Sequence, residues 1–116
     1  MQIRTVLDIP IYHKTYELYK LLYSCHSAIP KIQLYTLWRQ CEQISIQMLA
    51  AIIHTGHTQG NARVDAICTI SEKLDLLKTF IRLTRETNSI SEKKHLEIQS
   101  LIQEIGRMVG GWIKSL

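Results

Sequence analysis

"EKKH" places Glu92 and His95 at the E-x-x-H spacing of di-iron bundles. Such a centre needs a second E-x-x-H element and two further inward carboxylates, and this chain supplies one element only, close to a helix start. His54 and His57 stand in "HTGH", where two imidazoles alone make a weak metal site. Cys25 and His26 are sequence neighbours, which on a helix point about 100° apart, the wrong geometry for a nucleophile and its base. The three cysteines, Cys25, Cys41 and Cys68, are odd in number and form no CxxC pair. They read as buried thiols in a reducing cytoplasm. No phosphate-binding glycine loop, GxSxG or paired-carboxylate arrangement is present. The expectation is a protein that is not an enzyme and needs neither metal nor cofactor.

Binding chemistry is better represented. Lys78, Arg82 and Arg85 stand at i, i+4 and i+7, so a helix would set them on one face. Like charges at that spacing repel by a few tenths of a kcal/mol per pair, partly offset by Asp75 and Glu86. The strip is either a solvated face or a surface for phosphates or an acidic protein, extended by Lys93 and Lys94 beyond the next turn. A net charge of +4 is compatible with an anionic partner without requiring one. Tyr12, Tyr16, Tyr19 and Tyr23 form a row that could stack bases. At helical spacing on a core-facing side, packing with the hydroxyls at the rim is the expected use.

Four helices must position these groups. Asp8 and Pro10 signal a first helix over about 10–28. Pro30 breaks it, disfavours helical geometry at Ile29 and suits the first position of a second helix over about 30–54. That helix has Leu34, Leu37, Trp38, Cys41, Ile44, Met48 and Ile52 along one side. After "HTGHTQGN", Ile67, Ile70, Leu74, Leu77 and Ile81 define a third helix over about 61–86. Ser91 is an N-cap candidate for a fourth over about 91–116, with a stripe from Ile98 through Ile105, Val109 and Trp112 to Leu116. No segment alternates with the period of a strand, so the fold class is all-α. One domain spans the chain as an up-down-up-down antiparallel four-helix bundle. The N-terminus lacks a signal-peptide core, and the longest apolar run, Met48 to Ile53, is too short to span a bilayer. A soluble cytoplasmic protein with no membrane partner is expected.

The third helix carries a second apolar face. At about 100° per residue, Leu76, Phe80 and Leu83 fall near the side opposite the Ile67 to Ile81 stripe. A monomeric bundle needs only one stripe, so the second is either partly covered by a bent bundle or, the reading preferred, a subunit interface. The closing stretch "IGRMVGGWIKSL" sets three glycines in a helix, where each costs roughly 0.5 to 1 kcal/mol relative to alanine. Gly106 and Gly110 lie together at one edge of the Trp112 stripe, and the expectation is that they let another helix backbone approach closely. Arg107 and Lys114 point away from the core, within reach of an anionic partner.

Glu104, Gly106, Arg107, Gly110, Trp112 and Ile113 closely resemble the C-terminal signature of the accessory variability determinant (Avd) proteins of diversity-generating retroelements. "YELYKLLY" followed by "AIPK" resembles the first helix and proline-containing turn of that family. "LLKTFIRL" resembles its third helix, with Lys78 and Arg82 at positions that are basic in the family. The resemblance implies a homopentameric barrel of four-helix bundles with a positively charged surface. It also implies partners: the retroelement reverse transcriptase, and template RNA with DNA as a further candidate, bound in support of mutagenic copying without catalysing it. The related four-helix proteins encoded in intervening sequences of ribosomal RNA genes share the bundle, and the alternative they imply is an oligomeric structural protein with no reverse-transcriptase partner.

Overall fold

The computed structural model describes residues 9–87 and 89–116; Asp8, one of the signals for the first helix, lies outside them. Pro10 opens α1 (Pro10–Ser24) at a position where its missing N–H costs nothing. Ile11, Thr15, Leu18 and Leu22 recur every three or four residues and are buried. A 3₁₀ turn at His26–Ala28 follows, and Ile29 is extended, as the residue before a proline must be.

The expected single helix over 30–54 is two helices. Pro30 sits at the N-cap, one position earlier than expected, of the single turn α2 (Lys31–Leu34). The chain then breaks at Tyr35 and Thr36 before α3 (Leu37–Thr55). At the break the Thr36 hydroxyl donates to the Ile32 carbonyl at 2.8 Å, while the Thr36 N–H turns to the Gln33 carbonyl at 3.2 Å instead of continuing the helical ladder. Past the break Trp38 enters the core with no exposed surface, and its indole N–H donates to the Leu22 carbonyl at 3.2 Å.

Gly60, at φ +59°, opens α4 (Gly60–Glu86) from the left-handed region that glycine tolerates best. Ser91 caps α5 (Glu92–Lys114), its side chain accepting from the Lys94 N–H at 3.2 Å. Trp38, Cys41, Ile44, Met48 and Ile52 of α3, Ile67 to Ile81 of α4 and Ile98 to Val109 of α5 form the core with the α1 stripe. Leu116, expected in the α5 stripe, is exposed past the last helical turn.

Contacts between helices show the direction of each. Lys14 in the first half of α1 pairs with Glu104 at the middle of α5 at 3.3 Å, and Arg63 near the start of α4 donates to the Thr55 carbonyl ending α3 at 2.8 Å. At the other pole Trp38 meets the end of α1, and Arg85 late in α4 approaches Glu92 at the start of α5 at 3.7 Å. Each long helix packs on its chain neighbours, and α5 closes back on α1. The result is an antiparallel up-down-up-down bundle, 43 Å by 22 Å by 21 Å.

Two sequence expectations are corrected by this packing. Of the α1 tyrosines Tyr12 alone packs against the core edge; Tyr16 and Tyr23 are exposed and Tyr19 is half-buried, because Ile11, Thr15, Leu18 and Leu22 take the inward positions. Among the thiols, Cys25 and Cys41 are buried but Cys68 is exposed on α4, outside that helix's inward stripe.

Candidate nucleic-acid interface

The packing of α4 against α5 brings Lys78 and Arg82 to the rim of a groove of about 500 Å³. Ile81 and Ile102 floor it, and α5 contributes His95, Gln99 and Gln103 to the opposite wall. Lys78 and Arg82 are exposed, and among the described residues neither makes an ion pair within 4.0 Å. Two cations, an imidazole and two amides around an open groove form a donor set suited to anionic oxygens. Glu86 is the one acid on the rim.

Arg85 and Lys94 belong to a different place. They line a second cleft at the pole with Cys25, Ser89 and Glu92. Arg85 approaches Glu92 at 3.7 Å, and Lys94 bonds Glu97 at 3.4 Å. Their charge is thus partly met within the chain. Lys93 is exposed at the start of α5, and Arg107 and Lys114 are exposed along its outer side. The seven expected basic residues therefore divide into a groove pair, a polar-cleft pair and three outward cations. His95, Gln99 and Gln103 of the groove were not singled out as binding residues in the sequence, because only tertiary packing sets them opposite Lys78.

Chemistry of the catalytic kind finds little support in the geometry. Glu92 is drawn toward Arg85 while His95 faces the groove, so the two do not converge on one ion. His54 and His57 are exposed, and among the described residues no three metal-ligating side chains gather. His26 Nδ1 lies 2.8 Å from Glu42 Oε2 on the α1/α3 side. Burial pushes the Cys25 thiol up, with Lys94 opposing, and pushes Cys41 up to about 12 with Glu42 adding to the effect. Both are the reverse of an activated thiolate.

The C-terminal signature residues have separate surroundings. Glu104 ties α5 to Lys14 of α1. Trp112 is half-buried against the core, with the Arg63 guanidinium 5.8 Å from its ring centroid. A methyl group at Gly106 would meet Leu74 Cδ2 at 3.7 Å and Lys78 Nζ at 4.0 Å, and one at Gly110 or Gly111 would meet nothing within 4 Å among the described residues. The expected close approach of a helix backbone to Gly106 and Gly110 is therefore not made within the chain, since their neighbours are side-chain atoms or open space. On α4, Leu76 and Leu83 are exposed, while Phe80 is half-buried against the core edge. Among the described residues no helix is long and apolar enough to cross a membrane.

No curated protein matches the chain in sequence. The family model described as bAvd-like matches residues 9–116, which takes in all five helices, the groove and the whole C-terminal signature, and the chain belongs to that family.

Proposed function

We propose that this protein is a non-catalytic, cytoplasmic accessory subunit of a diversity-generating retroelement. In this reading it binds the reverse transcriptase and the template RNA or its DNA copy, and supports mutagenic reverse transcription. The observation that carries it is the exposed Lys78 and Arg82 pair on the α4/α5 groove of a bAvd-like chain, with no ion-pair partner among the described residues. Phosphates along the groove meet these two cations first, with Gln99 and Gln103 as neutral donors. Lys93, Arg107 and Lys114 widen the positive field, and Arg85 and Lys94 join it at the pole. The chain works as a homopentameric barrel, in which Leu76, Phe80 and Leu83 make the subunit contact and the small surface at Gly106 and Gly110 beside Trp112 admits a neighbour. Five copies at +4 each carry +20, a field that attracts nucleic acid strongly at low salt.

The test is Lys78→Glu with Arg82→Glu, assayed for RNA and reverse-transcriptase binding at physiological salt. The variant is expected to lose both and to show a log K against log salt slope shallower by about 1 per phosphate contact removed. Unchanged binding would overturn the site. Wild-type binding that vanishes between low and moderate salt, with no preference for a particular RNA, would favour the intervening-sequence type of structural protein.

A further inference from the structure

Two exposed faces of the bundle have opposite character. Along the outside of α4, Asp65, Glu72, Leu76 and Leu83 recur at steps of seven, four and seven. At about 100° per residue they share one stripe pointing away from the core. The two leucines are 41% and 39% exposed, and the carboxylates beside them are exposed as well. Across the bundle, α1 and α3 enclose a cleft of about 250 Å³ lined by Tyr19, Leu34, Tyr35 and Ile46. Tyr23 is exposed and stacks on Tyr19 with ring centroids 6.3 Å apart. Arg39 lines the cleft and is exposed, and Lys20 is exposed on α1 with its ammonium 5.8 Å from the Tyr16 ring centroid. Glu42 also lines the cleft, but its side chain is only 13% exposed and is bonded to His26; on α1 Glu17 is exposed as well.

An aromatic surface of this kind is typical of protein interfaces, and an apolar patch with a polar rim marks one. The charges decide the partner. A two-fold contact would set the acidic stripe on itself or the basic face on itself, opposing like charges. A head-to-tail contact sets leucines into the tyrosine cleft and carboxylates against Lys20 and Arg39. We infer that the α4 stripe of one copy seats in the α1/α3 cleft of the next, so that the tyrosines left outside the core are the receiving half of a heterologous subunit contact. This rests on the self-assembly reading above and names the second surface that assembly requires.

Mixing of two full-length variants tests it. Leu76→Lys with Leu83→Lys disables the stripe, and Tyr35→Lys with Ile46→Lys disables the cleft, all four at exposed positions. Each variant alone, with helical content equal to wild type, is expected to scatter as a 13.5 kDa monomer. An equimolar mixture is expected to give one species of twice that mass, because a single intact stripe and a single intact cleft remain to pair. A mixture that stays monomeric, or a cleft variant that keeps the wild-type mass, overturns the inference. A cleft variant that keeps its mass but loses RNA or reverse-transcriptase binding assigns the cleft to that partner and leaves the assembly reading standing. A monomeric wild type sinks both. As a second arm, Lys20→Glu with Arg39→Glu, and separately Asp65→Lys with Glu72→Lys, should each weaken assembly about tenfold at low salt. The chain carrying all four changes should regain it, and failure to regain it counts against the pairing of these two faces.

Discussion

Thr15 is fully buried on the inward side of α1, and its hydroxyl finds no partner among the described residues. The other buried hydroxyls of the helices behave differently: Thr55, Thr84 and Ser45 each donate to the carbonyl three residues earlier, at 2.6, 2.6 and 2.8 Å. An unsatisfied buried hydroxyl costs about 1 to 3 kcal/mol, whereas an apolar group of the same shape there costs nothing comparable. Thr15→Val is therefore expected to raise the free energy of unfolding by about 1 kcal/mol in urea denaturation at neutral pH. A drop of similar size would show that the hydroxyl is satisfied. The sequence offered no hint of this, since a threonine between apolar neighbours reads alike whether or not its hydroxyl is bonded.

At the scale of elements, the inward stripes were legible because burial follows spacing: Ile67, Ile70, Leu74, Leu77 and Ile81 are all in the core, as are Trp38 to Ile52 and Ile98 to Val109. The break before α3 was not, because Leu34, Leu37, Trp38 and Cys41 keep helical spacing straight through it while the backbone at Thr36 leaves the helical ladder. Tyr16, Tyr19 and Tyr23 of α1 were misplaced for a related reason: helical spacing groups aromatic residues on one face without saying that this face turns inward. Lys78 and Arg82 could be found from sequence, but the α5 wall of their groove depends on packing. Gly110 presents the same distinction in energetic form. It sits inside α5 with open space where a side chain would go. At dilutions where the chain is monomeric, Gly110→Ala should stabilise it by roughly 0.5 to 1 kcal/mol in chemical denaturation. If the gain is absent, the glycine has a role inside the monomer.

The whole bundle governs the behaviour of Cys41. Its thiol has no exposed surface and stays neutral up to about pH 12 in the fold, against an ordinary value of 9.0. The folded value is raised, so the unfolded chain loses its proton first as pH rises. Stability should hold below about pH 9 and fall from there toward 12, and Cys41→Ala should lack that part of the slope. At neutral pH a thiol reagent reaches Cys41 only when the core opens. Its modification rate should rise with urea as steeply as global unfolding does, and a shallower rise would reveal a local opening of α3. Cys25, on the wall of the polar cleft, has a shorter route to solvent.

The two tryptophans stand at opposite poles in different media. Trp38 is sealed beneath the end of α1, and Trp112 is half-exposed beside a guanidinium at the junction of α3, α4 and α5. The molecule thus carries two native fluorophores, one dry and one wet, whose emission distinguishes fraying at one pole from melting at the other without any introduced label.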